Sequence, residues 1–312
     1  MISRKEFLAE YLNWFWLRPE NAILLAIRAD EYKSTFKYFG DKALDVSCGD
    51  GVFSFIAGGG RFDIDSDMFQ SIDITKKRFV NFDAFDMYDE KLYNVKITKS
   101  PSIKYSHGTD WKKNLLHKAD KLKFYKNLLI HDNNNSLPFE NDCFDYVFSN
   151  STYWIECFEN HINDLIRVLK PGGHLVLEVK TKNIEHFSAF DYANQYIGQQ
   201  ACEILDAGRR STWKGLRSIN EYKSIFYGIN NVKIVEEKPI YGDLMAYLWD
   251  IGLRPIFNPL AKLANNVDYQ IRRDVKKEWC QIFYDLTEHL VINYKANEED
   301  AIEWLFVLSK GR

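Results

Sequence analysis

The segment Ala43-Leu44-Asp45-Val46-Ser47-Cys48-Gly49-Asp50-Gly51-Val52-Phe53 concentrates the residue types that hold a nucleotide. An apolar run with an acid near its end passes into a glycine-bearing turn and then into a helical pattern, so backbone can approach a ligand while amide N–H groups face it. Dinucleotide and nucleoside cofactors both use such a turn, and the glycine pattern separates them. A dinucleotide fingerprint, G-x-G-x-x-G, needs a third glycine where this chain has Ser54, and Asp45 at the strand end would repel a pyrophosphate. An acid there suits a cationic ligand, such as the amino group of an aminoacyl moiety. A tight strand-to-helix turn that binds nothing is the plain alternative.

The elements that must position this turn can be read around it. Phe7, Leu8, Tyr11, Leu12, Phe15 and Trp16 recur at helical spacing, and Pro19 opens a second helix through Ala22, Leu24, Leu25, Ile27 and Ala29. Residues 1–40 therefore read as a helical cover. From Ala43 to Lys180 the texture becomes short apolar runs ended by Gly, Asp or Asn and separated by helical stretches. That alternation predicts α/β architecture, a doubly wound sheet with helices on both faces. Strands are expected at Ala43–Cys48, Ile103–His107, Asn127–His131, Phe144–Ser149, His174–Val179, Val232–Val235 and Trp304–Ser309. Helices are expected at Trp111–Lys126, with Tyr125 on its buried face, at Glu159–Leu169, and around Tyr222–Phe226. Residues 58–100 and 242–300 exceed the minimal unit and read as two insertions, the second helical and placed as a substrate cover between the last two strands. The expectation is a single domain over 1–312.

Three ordered segments resemble the class I S-adenosylmethionine-dependent methyltransferases. Asp45 to Gly51 is similar to that family's acid followed by G-C-G-x-G, with Ser47 where the first glycine is usual. Leu137-Pro138-Phe139 followed by Phe144-Asp145-Tyr146-Val147 is similar to its L-P-F … F-D-x-V passage, and Arg167-Val168-Leu169-Lys170-Pro171-Gly172-Gly173-His174-Leu175 to its R-V-L-K-P-G-G-x-L turn. The resemblance implies a Rossmann-like, seven-stranded, mostly parallel sheet with S-adenosyl-L-methionine as cofactor, held by Asp45, Ser47, Gly49 and Gly51. It also implies a second acid for the ribose hydroxyls, expected about 20 residues past the glycine turn. Asp73 has that spacing, whereas Asp110 lies farther on but directly precedes the amphipathic helix. Asp110 is favoured, because the acid must be followed by the crossover helix to sit at the cofactor edge; a helix N-cap is its plain role. Asp132 and Asn133 are carried over to the adenine, against an Asx-rich turn as the alternative, and Asn150 to the loop beside the reactive methyl.

The chain departs from small-molecule members in having Trp154-Ile155 where Glu-His is frequent, and it has no N-P-P-Y-type sequence. Methyl transfer is an in-line displacement that alignment and charge complementarity can accelerate, and a hydroxyl acceptor gains from a general base. His161, Glu156 and Tyr153 are the candidates, each with helix surface or packing as its simpler reading. His107, His131 and His174 read as core residues.

Composition sets the outer bounds. The chain has 312 residues and a formal charge of −3 from 41 basic and 44 acidic side chains, which excludes the basic excess of a nucleic-acid-tracking protein. Five scattered cysteines without metal-ligand spacing read as reduced thiols of a cytoplasmic protein, and no metal is expected. The first residues do not read as a secretory signal, and no apolar run is long enough for a spanning helix; peripheral membrane contact stays open. Eight Trp, 18 Tyr and 22 Phe make the chain 15% aromatic, and seven of those tryptophans fall outside the motif-bearing strands. The expected activity is methyl transfer to an oxygen of a small-molecule, sugar or glycolipid-type acceptor. A non-catalytic nucleoside-binding regulator is the second reading and an NAD-type oxidoreductase the third.

Overall fold

The computed structural model describes residues 2–71, 84–187, 189–206, 209–251 and 257–312. Two helices come first, α1 (Arg4–Trp14) and α2 (Pro19–Lys33). Ser3 and Glu6 close a capping box at the start of α1, and Pro19 occupies the first turn of α2, where its missing N–H costs nothing. The sheet region runs β1 (Ala43–Val46), α3 (Val52–Ala57), β2 (Arg61–Phe62), β3 (Ile97–Lys99), β4 (Tyr105–Asp110), α4 (Lys113–Lys121), β5 (Tyr125–Ile130), β6 (Phe144–Ser149), α5 (Phe158–Val168) and β7 (Leu169–Lys180). Then follow α6 (Ala189–Ile197), α7 (Gln199–Asp206), α8 (Ile219–Tyr227), β8 (Val232–Gly242), α9 (Asp243–Ile251), α10 (Phe257–Asn265), α11 (Tyr269–Asn293) and β9 (Ala301–Lys310).

The main sheet has seven strands in the order β5-β4-β1-β6-β7-β9-β8. Pairing is parallel from β5 to β7, and β9 runs antiparallel to both β7 and β8. The seven-stranded, mostly parallel sheet is thus present as expected. The chain leaves β1 toward β4 and β5 and returns on the other side at β6, so the order reverses at β1, where open α/β sheets place their ligands. Alternation along β7 sends Val176 to the face covered by α1 and α2, and Leu175, Leu177 and Val179 to the face covered by α5 and α8.

Element boundaries differ from the pattern reading in two informative places. The helix after Asp110 stops at Lys121 instead of reaching Lys126, because Lys123 turns to φ +51° and Tyr125 opens β5. The Lys170-Pro171-Gly172-Gly173 stretch is taken into β7 as an irregularity: Phe144 pairs with Leu169 and Tyr146 with His174, and Gly172 at φ +82° lets the intervening residues loop out. Residues 189–206, for which the pattern made no assignment, form α6 and α7.

The two stretches outside the minimal unit meet on the N-terminal helices. Within 58–100, β2 and β3 pair antiparallel. Asp67, whose side chain is entirely buried, receives Arg272 of α11 through two bonds of 2.9 and 3.0 Å and the Trp16 indole N–H at 3.1 Å. Lys276, also of α11, donates to the carbonyls of Ile64 (2.6 Å) and Ser66 (3.0 Å). One carboxylate thereby joins the α1–α2 link, the residues after β2, and α11. Removing it leaves two buried cations without their counter-charge. We expect Asp67→Ala to lower unfolding stability by about 3–5 kcal/mol in urea denaturation; a loss below about 1 kcal/mol would show that the joint does not hold these parts together.

Candidate functional site

The turn after β1 is built on left-handed backbone. Ser47, Gly49 and Gly51 have φ of +58°, +59° and +76°. Gly51 is required twice over, since a Cβ would also stand 2.8 Å from the Tyr125 ring. Ser47 holds a conformation that side chains with a Cβ rarely adopt, and its hydroxyl accepts a hydrogen bond of 2.6 Å from the Asn133 amide nitrogen. The turn is tied to β4 by the Cys48 N–H on the Thr109 carbonyl, 2.9 Å. In front of it lies open space: no atom comes within 4 Å of where a Gly49 Cβ would be.

Asp110 ends β4 against this turn. Its Oδ2 accepts the Gly49 N–H at 3.0 Å, its Oδ1 accepts the Lys112 N–H at 2.8 Å, and its carbonyl accepts the His131 N–H at 3.0 Å. The carboxylate therefore caps the approach to α4 and faces the glycine turn at once. Burial raises its pKa above the ordinary aspartate value. Asp73 lies outside the described residues.

Asp45 sits deeper, 2% exposed, with Oδ2 accepting from Ser54 and Tyr125 hydroxyls, each at 2.7 Å. Burial lifts its pKa to about 7 despite both donors. Tyr125, which the helical spacing places on a helix face, belongs instead to β5, where its hydroxyl completes the support beneath the turn. Its signal in the sequence was obscured by the helical spacing from Leu115 to Tyr125, which the positive φ at Lys123 interrupts.

The loop after β5 supplies Asp132 and Asn133. Asp132 is exposed and closes its own Asx turn, accepting the Asn134 N–H at 3.0 Å. Asn133 is 4% exposed, and its Oδ1 is buried without a partner although its amide nitrogen binds Ser47. The loop after β6 holds Asn150, whose Oδ1 accepts the Ser151 hydroxyl at 3.1 Å, and Tyr153, whose ring lies 5.3 Å from Lys180 Nζ. Trp111, next to Asp110 and 55% exposed, stands 6.5 Å from Trp154 with the rings tilted by 40°. An aromatic directly after the acid was the available sequence signal for this pair, and it was spent on the helix pattern.

The three proposed proton acceptors are not brought together. His161 lies on the buried face of α5 and is 4% exposed; its Nε2 has no hydrogen-bond partner, and burial pushes its pKa down to about 4. Glu156 is exposed and paired with Lys214, while its N–H donates to Asn134 Oδ1 at 3.0 Å. Tyr153 alone of the three turns toward the end of β7. No group of His, Cys, Asp and Glu able to hold a metal occurs among the described residues.

The Ser47 conformation makes a directional prediction. Ser47→Ala loses the bond to Asn133 and keeps the strain, whereas Ser47→Gly loses the bond and relieves it. The glycine variant should be the more stable of the two by about 1 kcal/mol in urea denaturation; equal stability, or a more stable alanine variant, would contradict the left-handed turn.

Residues 94–177, from ahead of β4 to within β7, match the family model described as a methyltransferase domain. No curated protein matches the chain. Similar solved structures include the YcgJ protein of Bacillus subtilis (13% identity, 91% of this chain and 97% of that one covered, TM-score 0.43). Others are an S-adenosylmethionine-dependent methyltransferase of Mesorhizobium loti (13%, 90% and 97%, 0.43) and one of Thermotoga maritima (10%, 98% and 100%, 0.43). Over residues 94–177, from ahead of β4 to within β7, the chain is similar to a methyltransferase domain, and the strand order and the acid-and-glycine turn at its reversal stand beside that match.

Proposed function

We propose that this enzyme transfers the methyl group of S-adenosyl-L-methionine to an oxygen of a small-molecule, sugar or glycolipid-type acceptor at the carboxyl edge of β1, β4 and β6. The observation that carries the reading is Asp110 Oδ2 on the Gly49 N–H, which sets a carboxylate and a glycine turn face to face where the strand order reverses. Each Asp110 oxygen takes one backbone donor and has room for a second, so both can accept ribose hydroxyls. Gly49, Gly51 and Ser47 shape the turn around the cofactor, and Asp45 beneath it compensates the cationic amino end. Asp132 and Asn133 address the adenine, with Asn133 Oδ1 the buried atom that awaits a donor. Trp111 offers a ring face beside them, and Asn150 lies at the mouth of the acceptor space.

Bound S-adenosylmethionine supplies an electrophilic sulfonium methyl, and the protein's work is then alignment and exclusion of water. His161, its pKa lowered to about 4 by burial, is neutral at pH 7 and packs on the inner face of α5. Glu156 lies on the surface with Lys214. Tyr153 is the candidate nearest the acceptor, since its ring faces Lys180 at the end of β7.

Calorimetric titration tests the assignment. S-adenosylmethionine and S-adenosylhomocysteine should bind and NAD should not, and Asp110→Ala should weaken S-adenosylhomocysteine at least tenfold, or about 1.4 kcal/mol. Unchanged affinity in that variant would remove Asp110 from the site, and no binding of either adenosyl compound would overturn the reading.

Asp45 adds a pH signature. With its pKa raised to about 7 in the free protein, the group favours its protonated form there. Its contribution to stability is full below the ordinary aspartate range and is lost as pH rises through 7. A ligand cation draws the carboxylate back to its charged form, so S-adenosylhomocysteine affinity should rise between pH 5.5 and 8 as ionisation costs less. Asp45→Asn should flatten that profile; an equally steep profile in the variant would assign the titration elsewhere.

A further inference from the structure

Four charged side chains are buried between α2 and the carboxyl-edge ends of β7 and β9. Arg28 Nη2 donates to Glu178 Oε2 at 2.6 Å, Arg28 Nε lies 2.9 Å from Glu303 Oε1, and Lys180 Nζ lies 3.0 Å from Glu303 Oε2. Both glutamate side chains are fully buried. Taking each such ion out of water costs several kcal/mol, and well-packed apolar residues would serve stability as well. Stability alone therefore does not account for the cluster, and its two cations are placed differently.

Arg28 is consumed by the two glutamates and by the Phe53 ring, 5.0 Å from its guanidinium carbon. Lys180 is placed differently. Its ammonium has three donors, and Glu303 is its carboxylate partner; its other close neighbours are the ring faces of Tyr153 at 5.3 Å and Trp249 at 5.9 Å. Ser149 pairs with Leu177, so Lys180, three residues on, stands level with the loop that carries Tyr153. Trp249 arrives from α9 and is fixed by its indole N–H on Asn21 Oδ1 of α2, 3.0 Å. Strand end, active-edge loop and helical cover thus close around one cation. The four charges cancel when all are ionised; burial raises Glu178 above the ordinary glutamate value and lowers Lys180 below the ordinary lysine value.

We propose that Lys180, flanked by Tyr153 and Trp249, is the recognition post for the methyl acceptor and selects a ring-bearing acceptor that carries an anionic oxygen group, a carboxylate or a phosphate. The proposal rests on the methyltransferase reading above and narrows it. The rings give a planar body its contact surface, and the ammonium gives the oxygen its partner in a site where water is scarce. Lys180 is a binding and specificity residue in this account, with its proton retained.

The test uses the full chain saturated with S-adenosylhomocysteine and titrated with benzoate, phenyl phosphate and the neutral benzamide, read by tryptophan fluorescence and calorimetry. At least one of the two anions should bind ten or more times more tightly than benzamide, and which one does so distinguishes carboxylate from phosphate. Lys180→Gln should abolish the preference while S-adenosylhomocysteine affinity stays within twofold. Because that change strips Glu303 of one cation, Lys180→Gln/Glu303→Gln is measured beside it, with near-ultraviolet circular dichroism confirming the fold. Equal binding or none for anionic and neutral probes, or a preference that survives both variants, overturns the proposal. Failure of S-adenosylhomocysteine itself to bind the unmodified protein would instead overturn the methyltransferase reading.

Discussion

The Gly49 N–H reaches across from the turn after β1 to a buried carboxylate at the end of β4, a hydrogen bond to a charged acceptor of the kind that contributes about 1.5–3 kcal/mol. For that bond to form, β1 and β4 must lie side by side in parallel, as the pairing of Asp45 with Gly108 and Val46 with Thr109 ensures. The turn must also take left-handed backbone at Ser47, Gly49 and Gly51, which turns the Gly49 amide toward the acid. The crossover into α4 must begin at once, which it does with the Lys112 N–H on the other oxygen of Asp110. Register, turn conformation and helix start are three requirements met at one residue.

Support for this arrangement comes from below and from the covers. Asp45, Ser54 and Tyr125 form a buried polar knot under the turn, and around it Tyr32, Tyr105 and Tyr146 pack on Phe53, Phe39 and Phe148. Aromatic side chains bury much area with few rotatable bonds, so they hold a polar knot in one geometry at modest entropic cost. The unusual aromatic content thereby divides between two jobs. One set, with Trp14 and Trp16, fills the space between the sheet and α1–α2. The other, with Trp111, Trp154, Tyr153 and Trp249, lies at the carboxyl edge of the sheet.

Much of this was legible in the sequence, for physical reasons. Strands buried on both faces, such as β1 and β9, read as apolar runs, and glycines at left-handed positions punctuate the pattern, so the sheet strands and the turn at Asp45–Gly51 were visible. That Asp110 ends a strand directly ahead of a helix was visible from the helical pattern that follows it. Several features were not legible. The end of α4 depends on a positive φ at Lys123, a residue with no special preference for it. The role of Tyr125 depends on a contact with Asp45 that spans three elements. Between surface and packing, the two simpler readings of His161, periodicity did not choose, and the structure turns that face of α5 inward. The Asp67 joint and the Lys180 cluster were likewise hidden, since both gather charges from segments far apart in the chain.

The account places the cofactor at one edge and the acceptor beside it, with the covers deciding access. Hydrogen–deuterium exchange with and without S-adenosylhomocysteine addresses the first half without any substitution, because it reads backbone amides directly. The account predicts slowed exchange in the turn at residues 47–51, at 110–112 and in the loop at 132–134, with the amino edge of the sheet unchanged. Protection confined to other parts of the chain, or none at saturating ligand, would contradict it.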